Sequence, residues 1–296
     1  MSRRLAVRGR PRRGAAARLR QRLVRRGAIA LIFVVVGGGM WSQGEHGIRD
    51  RMSWMGVPER GDSWLALHRV LRSDGYLVGW SDLRVSPLWV SYELTPVRYP
   101  DIAPRPDFKQ DWRTLWPVTP TSYRHSGYDR GHLAPNYAIA AVHGPSAQRA
   151  TFLMSNMAPQ RPDLNRRLWQ RLEEAVIDHF VPRFGRLQVI TGPIYEEDFI
   201  EGALVRVGWS EVPRKFYKIL VVPGESPRVL AFVMPQDVRG DEPLSNFVRS
   251  IDEVEALTGL NFMPQLDPSL ETALETGVNT SGWGLEKVAN LPGRFD

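Results

Sequence analysis

The sequence predicts an α+β fold in which a central, mostly antiparallel sheet is flanked by helices. Two patterns indicate this class. Short stretches rich in aromatic and β-branched residues, bounded by turn formers, are typical of strands; they are residues 75–80, 89–94, 187–191, 216–222 and 229–234. Two longer stretches, 164–180 and 244–257, are interpreted as helices. At 43% hydrophobic and 24% charged residues the composition is that of a globular protein.

The basic residues are concentrated at the N-terminus. Eleven of the 39 lysines and arginines lie in residues 1–26, which contain no acid. The other 28 face 32 acidic residues, so the rest of the chain has a net charge near −4. Residues 1–26 are interpreted as a basic, solvated cytoplasmic arm, and any phosphate-binding field in the folded part must be local. The absence of cysteine excludes disulfides and thiolate chemistry.

Residues 27–41 contain no charged side chain. A membrane-spanning helix needs about 20 apolar residues, so this stretch is short. We interpret it as a transmembrane anchor or a signal peptide, since the arginines before it favour a cytoplasmic N-terminus. An anchored protein with its catalytic domain outside the cytoplasm is therefore expected, and a secreted or periplasmic protein after cleavage is the alternative.

The next segments lead into the main domain, which is predicted to span residues 65–266. Residues 42–64 have no clean periodicity and are interpreted as a linker that could include a short helix. After the first strands, residues 95–127 contain six prolines and are expected to form a long loop, and such loops are often functional. The loop carries four cations that could reach a phosphate, although each could equally be a solvated surface charge; they are Arg98, Arg105, Lys109 and Arg113.

The densest chemistry lies between Tyr128 and Asn136. Asp129 to His132 place an acid, a guanidinium, a glycine and an imidazole in consecutive positions, and Pro135 then restricts the backbone. This motif is expected on a strand or at its end. A second stretch follows within 25 residues and contains Leu153 to Gln160, Asp163, Leu164, Asn165, Trp169, Leu172, Glu173 and Glu174.

The second stretch runs into the predicted helix 164–180. Its apolar residues repeat at helical spacing, and Asp163 is expected to be its N-cap. The last segment, residues 267–296, is polar with glycine and proline, and we expect this C-terminal extension to be peripheral.

Together the two stretches resemble the DNA/RNA non-specific endonuclease family of metal-dependent nucleases. The first matches the Asp-Arg-Gly-His signature of that family, and the second matches its Ser-Asn-x-x-Pro-Gln, Leu-Asn, Trp and Leu-Glu run with the internal spacing kept. Weaker echoes occur in residues 191–195, 212–218, 231–235 and 258–262, so the resemblance covers roughly residues 65 to 266. It implies a ββα-metal (His-Me finger) nuclease fold.

The resemblance assigns the two central roles. It makes His132 the general base, and an imidazole is mostly neutral at pH 7 to 8, which suits that task. A base with an ordinary pKa predicts loss of rate below about pH 6. The resemblance makes Asn165 the sole protein ligand of a cation, expected to be Mg²⁺ with Mn²⁺ as an alternative, and amide oxygen suits such a hard ion. The alternative for His132 is a structural histidine, and the alternative for Asn165 is a helix cap.

Further residues are assigned supporting roles. Glu173 lies about 12 Å along the helix from Asn165, so it could hydrogen-bond a metal-bound water but not share the ion easily; the alternative is a solvent-facing salt-bridge partner. Asn156 could orient metal waters or phosphate, or hold a structural turn. Arg130 could bind the scissile phosphate, or pair with the structural Asp129. Arg105 is the loop cation that best fits the family pattern.

The expected function is metal-dependent hydrolysis of phosphodiester bonds in DNA and RNA without sequence specificity, because phosphate contacts carry no base information. No carboxylate cluster lies near the motif, which favours one metal ion. Two other functions stay open: a phosphodiesterase acting on small or lipid-linked substrates, and a non-catalytic nucleic-acid-binding relative. The family includes homodimers, so a homodimer is one expected assembly, and the membrane is an expected partner through residues 27–41.

Overall fold

The structure, a computed structural model, describes residues 44–61, 63–99, 101–195 and 205–293. Residues Arg49–Asp296 form one compact unit; the other unit, Met1–Ile48, is described only over residues 44–48, which are helical. The predictions for residues 1–26 and 27–41 therefore lie outside the described residues. Within the described ranges, the helices are too short or too polar to cross a bilayer.

Thirteen strands and seven helices organise the described residues. The strands are β1 Glu59–Arg60, β2 Arg69–Ser73, β3 Tyr76–Ser81, β4 Ser86–Leu94, β5 Asp129–His132, β6 Met157–Gln160, β7 Leu187–Ile194, β8 Arg206–Val207, β9 Ser210–Glu211, β10 Lys215–Val222, β11 Arg228–Pro235, β12 Val248–Arg249 and β13 Leu260–Asn261. The helices are α1 (44–52), α2 Asn136–His143, α3 Pro145–Thr151, α4 (162–184), α5 Ile251–Thr258, α6 Pro268–Glu275 and α7 Leu285–Val288.

A seven-stranded sheet forms the centre, in the order β12-β11-β10-β7-β4-β3-β2. Every neighbouring pair in it is antiparallel. The predicted α+β class with a central antiparallel sheet is therefore confirmed, and each of the five predicted strands lies in it. Three of the neighbouring pairs, β2–β3, β3–β4 and β10–β11, are joined by short turns, as antiparallel neighbours can be.

The central sheet is covered on both faces. Successive residues of a strand point to opposite faces, and Val189 and Ile190 of β7 accordingly belong to different apolar clusters. One cluster contains the buried side of α4, and the other contains Ile251 and Val254 of α5. The two helices therefore pack against opposite faces of the sheet.

The prediction of one helix over residues 244–257 is wrong at its start. Residues Leu244–Phe247 form a 3₁₀ turn and β12 follows, so α5 begins only after Ser250. The Ser250 side chain accepts from the Glu253 backbone N–H, and Glu253 accepts from the Ser250 N–H, which is a capping box. The cap fixes the helix start more strongly than the apolar periodicity does.

The C-terminal segment is less peripheral than predicted. Trp283 is 1% exposed and packs against Phe180 and Phe184 at ring-centroid distances of 5.5 and 4.9 Å. Arg171 of α4 donates hydrogen bonds to the backbone carbonyls of Ala289 and Leu291. Residues 283–291 therefore help to hold helix α4.

Candidate active site

The first motif pairs with the second motif in a two-stranded antiparallel sheet, separate from the central one. Strand β5 pairs antiparallel with β6, with Gly131 opposite Ala158 and His132 opposite Met157. Gly131 is required by close approach, because a Cβ at this position would lie 2.1 Å from Oε1 of the fully buried Gln160. This small sheet therefore places His132 at the end of β5.

Asn156 fixes the chain just after His132. Its side-chain oxygen accepts from the Ala134 backbone N–H at 2.9 Å, and its amide nitrogen donates to the carbonyls of Ala134 and Thr151. Because the side chain is fully buried and these bonds use both of its polar atoms, the geometry favours the structural role over the orienting role that placed Asn156 among the catalytic residues.

Helix α4 carries the other half of the site. It begins at residue 162 and contains two π-helical turns, Leu164–Leu168 and Val176–Phe180, where each turn is wider than in an α-helix. The prediction that Asp163 caps this helix is wrong: Asp163 has helical dihedrals and its side chain makes no cap hydrogen bond. Asn165 and Glu173 on this helix both line one cleft.

Asp129 orients the predicted metal ligand. The Asn165 Nδ2 donates to Asp129 Oδ2 at 3.0 Å, while the guanidinium of Arg166 binds both oxygens of Asp129 at 2.7 Å. Burial opposes the ionisation of Asp129, but the bonds from Arg166 and Asn165 outweigh it and lower its pKa. With Nδ2 held in this way, Oδ1 of Asn165 is the atom available to a cation.

His132 lies in an aromatic enclosure. Its ring is 5.6 Å from the Phe108 ring and 5.1 Å from the Phe152 ring, centroid to centroid. Its Nε2 is buried and has no hydrogen-bond partner. Burial, together with the positive charges of Arg105 and Arg130, lowers the pKa of His132 to about 3. The imidazole is therefore neutral throughout the physiological range, as a proton acceptor must be.

Glu173 is a salt-bridge partner, as its alternative interpretation has it, but it is mostly buried and not solvent-facing. Its Oε1 is buried without a hydrogen-bond partner and lies 3.9 Å from Nζ of Lys218. The ammonium of Lys218 also lies 4.4 Å from the centre of the Trp169 ring and is fully buried. Burial raises the pKa of Glu173 and lowers that of Lys218, and their opposite charges counteract both shifts.

The arginines of the motif and loop have different surroundings. The Arg130 guanidinium lies 4.3 Å from the centre of the Phe108 ring, whereas Asp129 makes its hydrogen bonds to Arg166 and Asn165. The suggested pairing of Arg130 with Asp129 is therefore not the contact that holds Arg130. Arg113 is a structural residue, because it binds the buried Asp111 through two nitrogens.

A cleft of about 1120 Å³ brings the main residues together. His132, Asn165, Glu173 and Arg105 all line it. Two of the predicted site residues, Arg130 and Asn156, are not among its lining residues. The cleft thus joins the end of β5, one side of α4 and the start of the Pro-rich loop.

Sequence reasoning did not identify Lys218, Phe108 or Phe152. One signal for Lys218 was available: it is a cation in the interior of a strand of mostly apolar residues, and a buried charge needs a partner. No comparable signal marked the two phenylalanines, because an aromatic residue in a loop is ordinary.

Comparisons with known proteins agree with this geometry. Residues 66–269 match the family described as DNA/RNA non-specific endonuclease. A nuclease from Nostoc sp. is 32% identical over 220 residues, covering 69% of this chain and 76% of that protein. Human mitochondrial endonuclease G is 31% identical over 211 residues, covering 65% and 69%.

The solved structures give the same result. A crystal structure of the EndoG/EndoGI complex, which concerns the mechanism of EndoG inhibition, is similar with a TM-score of 0.63. Its sequence identity is 30%, and the match covers 74% of this chain and 92% of that chain. At this identity the similarity supports a shared fold and a related activity.

The fold, the cleft and these likenesses define a class: the protein is a nuclease, an enzyme that hydrolyses phosphodiester bonds. Within that class, the chain belongs to the DNA/RNA non-specific endonuclease family. It is a metal-dependent endonuclease that acts on DNA and RNA.

Proposed function

We propose that this endonuclease works with one divalent ion, with His132 as the general base and Asn165 as the protein ligand. The observation that carries the proposal is that both side chains line one cleft although they are 33 positions apart in sequence. Strands β5 and β6 followed by α4 supply the two strands and one helix of a ββα-metal arrangement.

The residues present fit a hard cation such as Mg²⁺, with Mn²⁺ as an alternative. Asn165 offers an amide oxygen whose orientation is set by Asp129, and Glu173 offers a buried oxygen without a hydrogen-bond partner. A single neutral ligand leaves most of the coordination sphere to water, and Glu173 is placed to accept from such a water. When bound, the ion supplies positive charge that stabilises the departing sugar oxygen.

The chain supplies proton transfer and phosphate binding. Neutral His132 accepts the proton of the attacking water, and its apolar enclosure keeps it uncharged until then. Arg105 is exposed at the cleft and is placed to bind the phosphate. Arg130 is proposed to contribute a positive field from its position against Phe108, and Asn156 to position the chain that follows His132.

Cleavage without sequence specificity follows from these groups. They would contact phosphate and water, which are the same at every nucleotide, and contacts to the backbone carry no base information. Single-stranded and double-stranded forms of both DNA and RNA are therefore proposed as substrates.

The test is cleavage of supercoiled plasmid and of single-stranded RNA by the full chain with Mg²⁺. We expect EDTA to abolish cleavage of both, and His132→Ala to lower the rate by about 10²–10⁴-fold. His179→Ala, which changes an exposed histidine on α4, is the matched control. Full activity of His132→Ala, or cleavage unaffected by EDTA, would refute the proposal.

The same assay separates the alternatives. A phosphodiesterase specific for small substrates would hydrolyse bis(p-nitrophenyl) phosphate and leave plasmid intact, and a binding protein would cleave neither. Membrane attachment through residues 27–41, an extracytoplasmic nuclease domain and a homodimer stay predictions of the sequence.

A further inference from the structure

Three carboxylates converge where helices α5 and α6 meet. Asp252 and Glu255 are three positions apart on α5, so they share one face of the helix, and Glu275 is the last residue of α6. One oxygen from each lies within 4.8 Å of the others. Like charges this close repel, so the arrangement needs a compensating positive charge or a proton.

Glu275 points to a ligand by a separate observation. Its side chain is only 2% exposed, and its Oε1 is buried without a hydrogen-bond partner. A buried carboxylate oxygen left without a partner is costly. Glu255, by contrast, uses one oxygen to accept from the Phe262 backbone N–H at 2.8 Å, which holds its carboxylate in place.

A fourth carboxylate adds negative charge close to the cluster. Glu271 lies four positions before Glu275 on α6 and repels both Glu255 and Glu275. Within the described residues, no lysine or arginine forms an ion pair with the three converging carboxylates.

The donor set selects a hard cation. All three donors are carboxylate oxygens, and Ca²⁺ binds such oxygens at about 2.3–2.6 Å, so ligands on opposite sides of it lie about 5 Å apart. Asp252 is exposed, which leaves room for the waters that complete six to eight ligands. None of the three residues lines the catalytic cleft, and α5 packs on the sheet face opposite to α4.

We propose that Asp252, Glu255 and Glu275 bind a Ca²⁺ ion that joins α5 to α6. Such a site is structural and separate from catalysis. Its occupancy would raise thermal stability without supplying a group to the reaction, since a ligand that binds only the folded state stabilises it.

The experiment measures calcium binding by the full chain in equilibrium dialysis at neutral pH, and the melting temperature with and without Ca²⁺. We expect Asn165→Ala, which removes the catalytic ligand, to keep both the bound calcium and the rise in melting temperature. Glu275→Gln should weaken binding by at least about tenfold and remove the rise. Asp252→Asn changes an exposed residue and should weaken binding in the same direction if Glu275→Gln fails to fold.

Glu271→Gln is the matched control, because it removes a charge from the same helix without removing one of the three converging ligands. It should keep the calcium-dependent rise. Equal calcium binding by the wild type and Glu275→Gln, or loss of all calcium in Asn165→Ala, would overturn the proposal. Absence of binding in the wild type would overturn it too.

Discussion

His132 shows how the surroundings of one residue change its chemistry. Sequence alone gives it the ordinary imidazole pKa, and hence an expected loss of rate below about pH 6. The structure encloses the ring between Phe108 and Phe152 near two arginines, which lowers the pKa to about 3. The pH below which the rate is lost is therefore expected to be lower than the sequence alone predicts.

We predict that the fall of kcat/KM on the acid side lies well below pH 6. A base with a lowered pKa stays neutral until the pH approaches that pKa, and kcat/KM reports the free enzyme. The measurement is initial rates of plasmid nicking at saturating Mg²⁺ from roughly pH 4.5 to 8. Half-maximal kcat/KM at pH 6.5 or above would contradict the assignment.

The control for that experiment is circular dichroism at each pH. Below about pH 6.5 the unfolded chain takes up a proton on His132 that the folded chain does not. The free energy of unfolding therefore decreases as the pH is lowered from about 6.5 toward 3. In His132→Ala this contribution is absent, and the acid unfolding midpoint should move to lower pH.

A second prediction concerns the ammonium beside Glu173. Lys218→Met should lower the free energy of unfolding by about 3–5 kcal/mol, because it leaves a buried carboxylate without its counter-charge. The double variant Lys218→Met with Glu173→Gln should recover much of that loss. Urea denaturation of the wild type, Lys218→Met, Glu173→Gln and the double variant measures these free energies. Equal stability of Lys218→Met and the wild type would show that the pair does not matter.

How much of the site the sequence could reveal depends on the residue. His132 and Asn165 were identified because their motifs carry unusual residue types at fixed spacing. The contact of Lys218 with Glu173 joins strands and helices 45 positions apart, so no local pattern encodes it. For Asn156 the sequence leaves a chemical role and a structural role open. Its burial and its bonds to the backbone, which favour the structural role, are properties of the folded chain.

At the scale of elements, the repeat of apolar residues predicts that α4 exists, but it does not predict where α4 begins and ends. Its start is not capped by Asp163, and it extends to residue 184, where Gly185 adopts the left-handed conformation that ends helices. Two π turns occur within it, and an average period of 3.6 does not reveal such local widening. The buried face of α4 was therefore more predictable than its boundaries and its π turns.

The two-stranded β5–β6 sheet gives a test at this scale. Gly131→Ala should destabilise the fold by about 1–3 kcal/mol, because the new methyl group would overlap the buried side chain of Gln160. Gly277→Ala is the matched control, since nothing lies within 4 Å of a Cβ there. Urea denaturation measures the stability, and plasmid nicking measures the activity. Wild-type values of both for Gly131→Ala would refute the packing argument.

At the scale of the whole molecule, the C-terminal residues were hardest to place. Residues 267–296 lie beyond the sequence resemblance and contain few apolar side chains, so the sequence offered no reason to expect them in the core. Trp283 is buried because α4 presents Phe180 and Phe184 to it. Contacts between segments about 100 positions apart depend on topology, which local patterns do not specify.

We predict that Trp283→Ala lowers the free energy of unfolding by about 3–5 kcal/mol, as expected when a buried aromatic side chain is removed. Trp112→Ala, at a tryptophan that is 86% exposed, should change it by less than about 0.5 kcal/mol. Thermal and urea denaturation distinguish the two. Equal small effects would mean that residues 283–291 do not support α4.

The hydrogen bond between Asn165 and Asp129 also determines how the protein would age. Spontaneous deamidation at position 165 would replace the donor Nδ2 by a second carboxylate oxygen about 3 Å from the first. Two carboxylates that close cannot both ionise, so one would retain a proton near neutrality. At neutral pH each deamidated chain would therefore gain less than one full negative charge.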